Sequence, residues 1–136
     1  MPDLEGARRL LKMAGKDLTA LVAMTDRDTF ADEIFGFHAQ QTIEKCLKAW
    51  LALLDVEYPK THDLRALLAL LKERGLDVED LWDLVEYNVY AVQFRYEAFD
   101  TPDEVLDRTE VIDRVRGVVH RVERLVVAAE AREPEK

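Results

Sequence analysis

The run Phe37-His38-Ala39-Gln40-Gln41-Thr42-Ile43-Glu44-Lys45-Cys46-Leu47-Lys48-Ala49 decides how the rest of this chain is read. It is helical in pattern, yet it places polar groups where a plain bundle would place leucine. Three, four or seven residues along a helix bring a side chain back to nearly the same face, so His38, Gln41 and Lys45 fall within about 60° of one another. A polar stripe therefore runs along an otherwise apolar helix.

Working outward, periodicity reads helix almost throughout, with only five glycines and four prolines in 136 residues and no convincing strand. A first helix is expected from Asp3 to Met24, burying Leu4, Leu11, Ala14, Leu18 and Leu21. Thr29, with Asp32 three residues on, is expected to cap the second helix, which ends near Asp55. A shorter helix opens at Thr61 to Asp63, buries Leu64, Leu67, Leu68 and Leu71, and stops at Gly75. The fourth starts near Asp77 to Asp80, turns Leu81, Leu84, Val85 and Val89 inward, and bends before Phe94-Arg95-Tyr96. Thr101-Pro102-Asp103-Glu104 sets a capping threonine before proline at the first helical position, which predicts the start of the last helix. Val105, Ile112, Val119 and Val126 then recur every seven residues with Val115 and Val122 between them, a seam for two neighbouring helices or a second subunit. Short connections favour antiparallel neighbours, so the expected fold is all-α, an up-and-down bundle of four to five antiparallel helices. Residues 1–130 are expected to form one domain and 131–136 a disordered tail.

A chain of this length buries enough surface for one core without metal or disulfide, and its single cysteine, Cys46, rules out an intramolecular bridge. With neither a secretory apolar stretch nor a run of membrane-spanning length, a soluble cytoplasmic protein that does not engage membranes is expected. The net charge of −9 argues against broad attraction to nucleic acid, so any RNA contact must be local. No phosphate-cradling glycine loop, cysteine metal site or Glu-x-x-His pair is present, and no metal or cofactor is expected.

The helix-two run, together with Thr61-His62-Asp63-Leu64 opening the third helix and Arg95-Tyr96 after the fourth, resembles the HEPN domain family (higher eukaryotes and prokaryotes nucleotide-binding) in order, spacing and context. The resemblance implies a helical bundle that commonly forms a homodimer and is often encoded beside a minimal nucleotidyltransferase. In many members it implies a toxin that cleaves RNA without metal. It makes this chain the toxin-side or partner subunit of such a toxin–antitoxin pair, acting on RNA or nucleotides. The alternative is a non-catalytic nucleotide-binding or protein-interaction dimer.

The ribonuclease members carry Arg, four to six residues, then His, and the match here is Arg114 with His120. With 12 arginines and three histidines, such a pattern arises about 0.8 times by chance. Residues six apart also lie about 120° from each other on a helix, and His120 shares its face with Asp113, Arg116 and Arg124 instead.

Metal-free RNA cleavage needs a base, an acid and a cation for the phosphorane, roles that histidine and arginine fill. His38 and Arg95 are the candidate catalytic pair, and Gln41, Lys45, His62, Arg95 and Tyr96 the candidate ligand contacts. Each has a structural reading beside it: His38 as a hydrogen-bonded spacer between helices, His62 as part of the third helix's opening, and Arg95 as one half of a salt bridge. Glu44, about 120° from His38, is expected to brace Lys48 at the surface. Trp50, Trp82, Tyr87 and Tyr90 are expected in the core or an interface rather than as base-stacking platforms.

Overall fold

The computed structural model describes residues 2–92 and 106–132. Expectations that fall on Arg95, Tyr96, Thr101 to Val105 and the tail from Glu133 lie outside the described residues. Within them the chain is all helical: α1 Leu4–Ala23, α2 Asp32–Leu53, α3 Leu64–Glu73, a 3₁₀ helix Glu79–Tyr87, α4 Asn88–Val92 and α5 Arg108–Arg132.

Helix α1 is capped by Asp3, whose carboxylate accepts the Gly6 N–H at 2.9 Å. Its buried Leu4, Ala7, Ala14 and Leu21 face α2 and α5. The Asp3 N–H donates to the Ala52 carbonyl, and Arg8 meets Glu130 at 2.7 Å. The start of α1 therefore lies beside the ends of α2 and α5, and α1 runs antiparallel to both.

Helix α2 packs against every other helical element, which explains its composition. A helix with so many neighbours has only a narrow solvent face on which to put polar residues. Gln40, Gln41, Thr42 and Glu44 are accordingly buried along with Phe35, Ile43, Leu47 and Leu51. The expected Thr29 cap does not form. Ala31 occupies the N-cap without a side-chain bond, while the Thr29 hydroxyl donates to Asp26 at 2.6 Å, closing the turn before the helix. That bond, followed by the Asp28 N–H, holds the Asp26 carboxyl below its usual range. After α2, Asp55 takes a left-handed conformation at φ 56°, which a short polar side chain tolerates.

Asp63 caps α3 by accepting the Arg65 N–H at 2.9 Å, and the Asn88 side chain accepts the Leu64 N–H at 2.9 Å. The helix ends at Glu73, and Gly75, φ 83°, turns the chain away just past its cap. Beyond it the expected fourth α-helix is instead the 3₁₀ helix. Val78, Leu81, Leu84, Tyr87 and Tyr90 are all buried and stand every third residue. Three residues per turn align that set on one face, where an α-helix would spread it around the axis. Val85 and Val89, expected inward, are only partly buried.

The following turn, α4, packs on α2 at Gly36. A Cβ added there would lie 2.5 Å from the base of the buried Tyr90 ring. Gly36→Ala is expected to cost about 1–3 kcal/mol through overpacking, read as a lower urea midpoint at unchanged slope. Combined with Tyr90→Ala, the loss should fall short of the sum of the two single substitutions. Strict additivity would place the strain elsewhere.

Among the described residues α5 starts at Arg108. Leu106 and Asp107 are not helical, and Asp107 acts as the cap, its carboxylate accepting the Glu110 N–H at 3.2 Å. The helix continues through Arg132. Ile112, Val115, Val119, Val122 and Val126 are buried, and α5 packs on α1 and α2. Of the two destinations expected for the valine seam, the neighbouring helices occupy it.

Candidate functional site

The α2 stripe is resolved by carboxylates supplied from two directions. Asp17 of α1 stands among core positions, three residues after Ala14 and four before Leu21. Its Oδ1 lies 3.1 Å from the His38 Nδ1, and its Oδ2 accepts a short hydrogen bond from the Lys45 Nζ. The three side chains are partly buried, with His38 26% and Lys45 18% exposed. His38 also meets Phe37 edge-on at 5.5 Å between ring centroids, and its carbonyl accepts the Thr42 hydroxyl at 2.7 Å.

Glu44 is the centre of a second group. Its Oε2 takes Lys48 at 3.2 Å, one helical turn on, as the spacing implies. The pair is not a surface brace, however, because the Glu44 side chain is 5% exposed. Glu44 Oε1 also lies 2.9 Å from the His62 Nδ1 and accepts from the Gln40 Nε2 at 3.1 Å. The same Gln40 nitrogen donates to the His62 carbonyl at 2.8 Å, so one buried amide fixes both the ring and the backbone of His62. Gln41 does not join His38 and Lys45 in hydrogen bonding; its Nε2 donates to the Gln40 Oε1 at 2.8 Å. The expected stripe of His38, Gln41 and Lys45 is thus divided: His38 and Lys45 share Asp17, while Gln41 extends the Glu44 group.

Because an ionised carboxylate only accepts, both histidines carry their Nδ1 hydrogen toward it and leave Nε2 as the second functional nitrogen. This is the arrangement that fixes a ring for proton transfer or anion contact. It is present twice, each time with one partner on α2 and the other from outside it.

Arg114 and His120 are not brought together. Arg114 donates to the Asp80 carbonyl and to Asp83, tying α5 to the 3₁₀ helix, while His120 is 58% exposed and 3.9 Å from Glu123. Arg121 continues that tie, 2.9 Å from Asp80, with its guanidinium 5.0 Å from the Trp50 ring centroid. Trp50, Tyr87 and Tyr90 are buried, and burial pushes the Tyr87 hydroxyl up to about 12. Cys46 is fully enclosed, and burial likewise raises its thiol to about 12, so it is no nucleophile near neutral pH.

Two residues not singled out by sequence carry much of this architecture. Asp17 had a visible signal, an acid in register with Leu10 and Met24 on a seven-residue spacing that otherwise points inward. Arg108 had none. It lies in the first turn of α5, 5% exposed at the side chain, and donates to the Met24 and Phe30 carbonyls and to Asp32 at 2.7, 2.6 and 2.8 Å.

Among the described residues no helix is long and apolar enough to cross a membrane. The family model for the HEPN domain matches residues 7–125, a span that contains both carboxylate-centred groups. No curated protein and no solved structure matches the chain.

Proposed function

The chain belongs to the HEPN domain family, and from that premise we propose that it is the HEPN subunit of a toxin–antitoxin type pair with a minimal nucleotidyltransferase, acting on RNA or nucleotides in the cytoplasm. The observation that carries this reading is the pair of His–carboxylate–Lys groups built against α2. A bundle in need only of stability has little use for two partly buried sets of titratable side chains, because burying ion pairs seldom outperforms burying hydrocarbon. A homodimer would place two copies of each group in one particle.

A second reading, a nucleotide- or partner-binding dimer that breaks no bond, is favoured by the separation of Arg114 from His120. If RNA is cleaved, His38 and Arg95 are the residues to carry it. With the Arg–His motif displaced or degenerate, cleavage is the open question: if purified protein incubated with cellular RNA and a chelator yields fragments, His38→Ala or Arg95→Ala should lose at least a hundredfold in rate, the usual contribution of an acid–base group being about 10²–10⁴. Fragmentation that persists in both variants would remove these residues from the chemistry. Intact RNA with the wild type would leave the binding reading, which then requires nucleotides or the nucleotidyltransferase to raise the melting temperature.

A further inference from the structure

The two α2 groups share one charge pattern and differ in access. Each is a carboxylate facing one lysine and one histidine, so a protonated imidazole leaves two cations against one anion. In a protein of net charge −9 these are places where an added anion is locally favoured. At Asp17 the ring is 26% exposed and the carboxylate 14%. At Glu44 the contrast is wider: the carboxylate is more deeply buried at 5%, and the His62 ring is more open at 40%. His62 is also the better fixed of the two, through Glu44 on its ring and Gln40 on its carbonyl. Lys48 stands behind it, 14% exposed and 5.7 Å from the Tyr58 ring centroid. Asp63, the adjacent acid, is engaged by the Arg65 N–H and by the Asn88 Nδ2 at 2.7 Å.

We propose that His62 is a phosphoryl-contacting residue: its Nε2–H donates to a phosphate oxygen, Glu44 and Gln40 position the ring, and Lys48 supplies a fixed positive charge. The proposal rests on the reading of the ligand as RNA or nucleotide, which both present this group. Fixing the Nδ1 hydrogen on Glu44 dedicates Nε2 to the ligand, and an anion there favours the imidazolium that donates to it. Glu44 is a positioning residue, since it reaches the ligand only through the ring.

Protein labelled with ¹⁵N in its histidines is titrated with inorganic phosphate, with ATP and with a single-stranded RNA oligomer. The expected result is a saturable shift of the His62 Nε2 resonance, none at His120, and about a tenfold weaker affinity in His62→Ala, equivalent to about 1.4 kcal/mol. Glu44→Gln should change the tautomer populations read from the His62 nitrogens as well as weaken binding, a signature that loss of packing alone does not produce. Melting curves identify any variant that fails to fold, and the wild-type resonance decides independently of the variants. A His62 signal unmoved by all three probes overturns the site. RNA or ATP binding that is equal in His62→Ala overturns the site and leaves the nucleotide reading standing. A response to phosphate with none to RNA or ATP supports the site and removes that reading.

Discussion

Arg108→Ala is expected to lower stability by about 3–5 kcal/mol, the cost of removing one partner from a buried charged network. Its guanidinium gathers three acceptors from the end of α1, the α1–α2 connection and the first turn of α2. Without it the Met24 and Phe30 carbonyls and the Asp32 carboxylate lose a donor at a packed junction. The Phe35 ring, whose centroid is 4.7 Å from the guanidinium, also loses its cover. A domain of this size has about 5–15 kcal/mol in total, so the substitution removes a large share. Thermal unfolding followed by circular dichroism should show a fall of about 10 °C or more. Arg108→Lys should recover only part of it, because an ammonium on a single stem cannot reproduce a planar fork toward three acceptors. A fall worth less than about 1 kcal/mol would show that water replaces the guanidinium at these carbonyls, as at an ordinary surface pair.

Trp50→Ala is the second large effect, expected at about 3–5 kcal/mol from lost burial and the cavity left behind. Trp50 is 5% exposed in α2 and also carries Arg121, which in turn reaches Asp80 in the first turn of the 3₁₀ helix. Removing the indole therefore empties core volume and frees the arm that ties α5 to the 3₁₀ helix. Arg121→Ala alone should cost no more than about 1 kcal/mol, since its ion pair is exposed to screening. Urea unfolding of the two variants separates the contributions: a large drop in midpoint for Trp50→Ala with a small one for Arg121→Ala assigns the stability to the buried ring. Equal drops would assign it to the arginine tie.

The helical class, the bundle and the positions of α1, α2 and α3 were legible because helix periodicity is local information, carried by residues three and four apart. The 3₁₀ helix was legible in principle as well. Val78, Leu81, Leu84, Tyr87 and Tyr90 repeat every third residue, a period that an expectation of α-helix passes over. Asp107, which caps the described start of α5, carried no signal that the sequence reading used, because a local cap motif does not show which turn meets the Arg108 junction.

For the candidate site, the residue types on α2 pointed to His38, Gln41, Lys45 and, on the next loop, His62, yet their grouping could not be read from spacing. Helical geometry puts His38, Gln41 and Lys45 on one face, but hydrogen bonding follows whichever acceptor the neighbouring helix presents. Asp17 comes from α1 and takes His38 and Lys45; Glu44, read as a surface acid, is buried because α2 has neighbours around most of its circumference, and there holds His62. Side-chain order along one helix is set by covalent geometry, and so it is written in the chain. Which carboxylate a histidine meets, and whether water is excluded around them, depends on contacts between residues tens of positions apart, which exist only once the helices have packed.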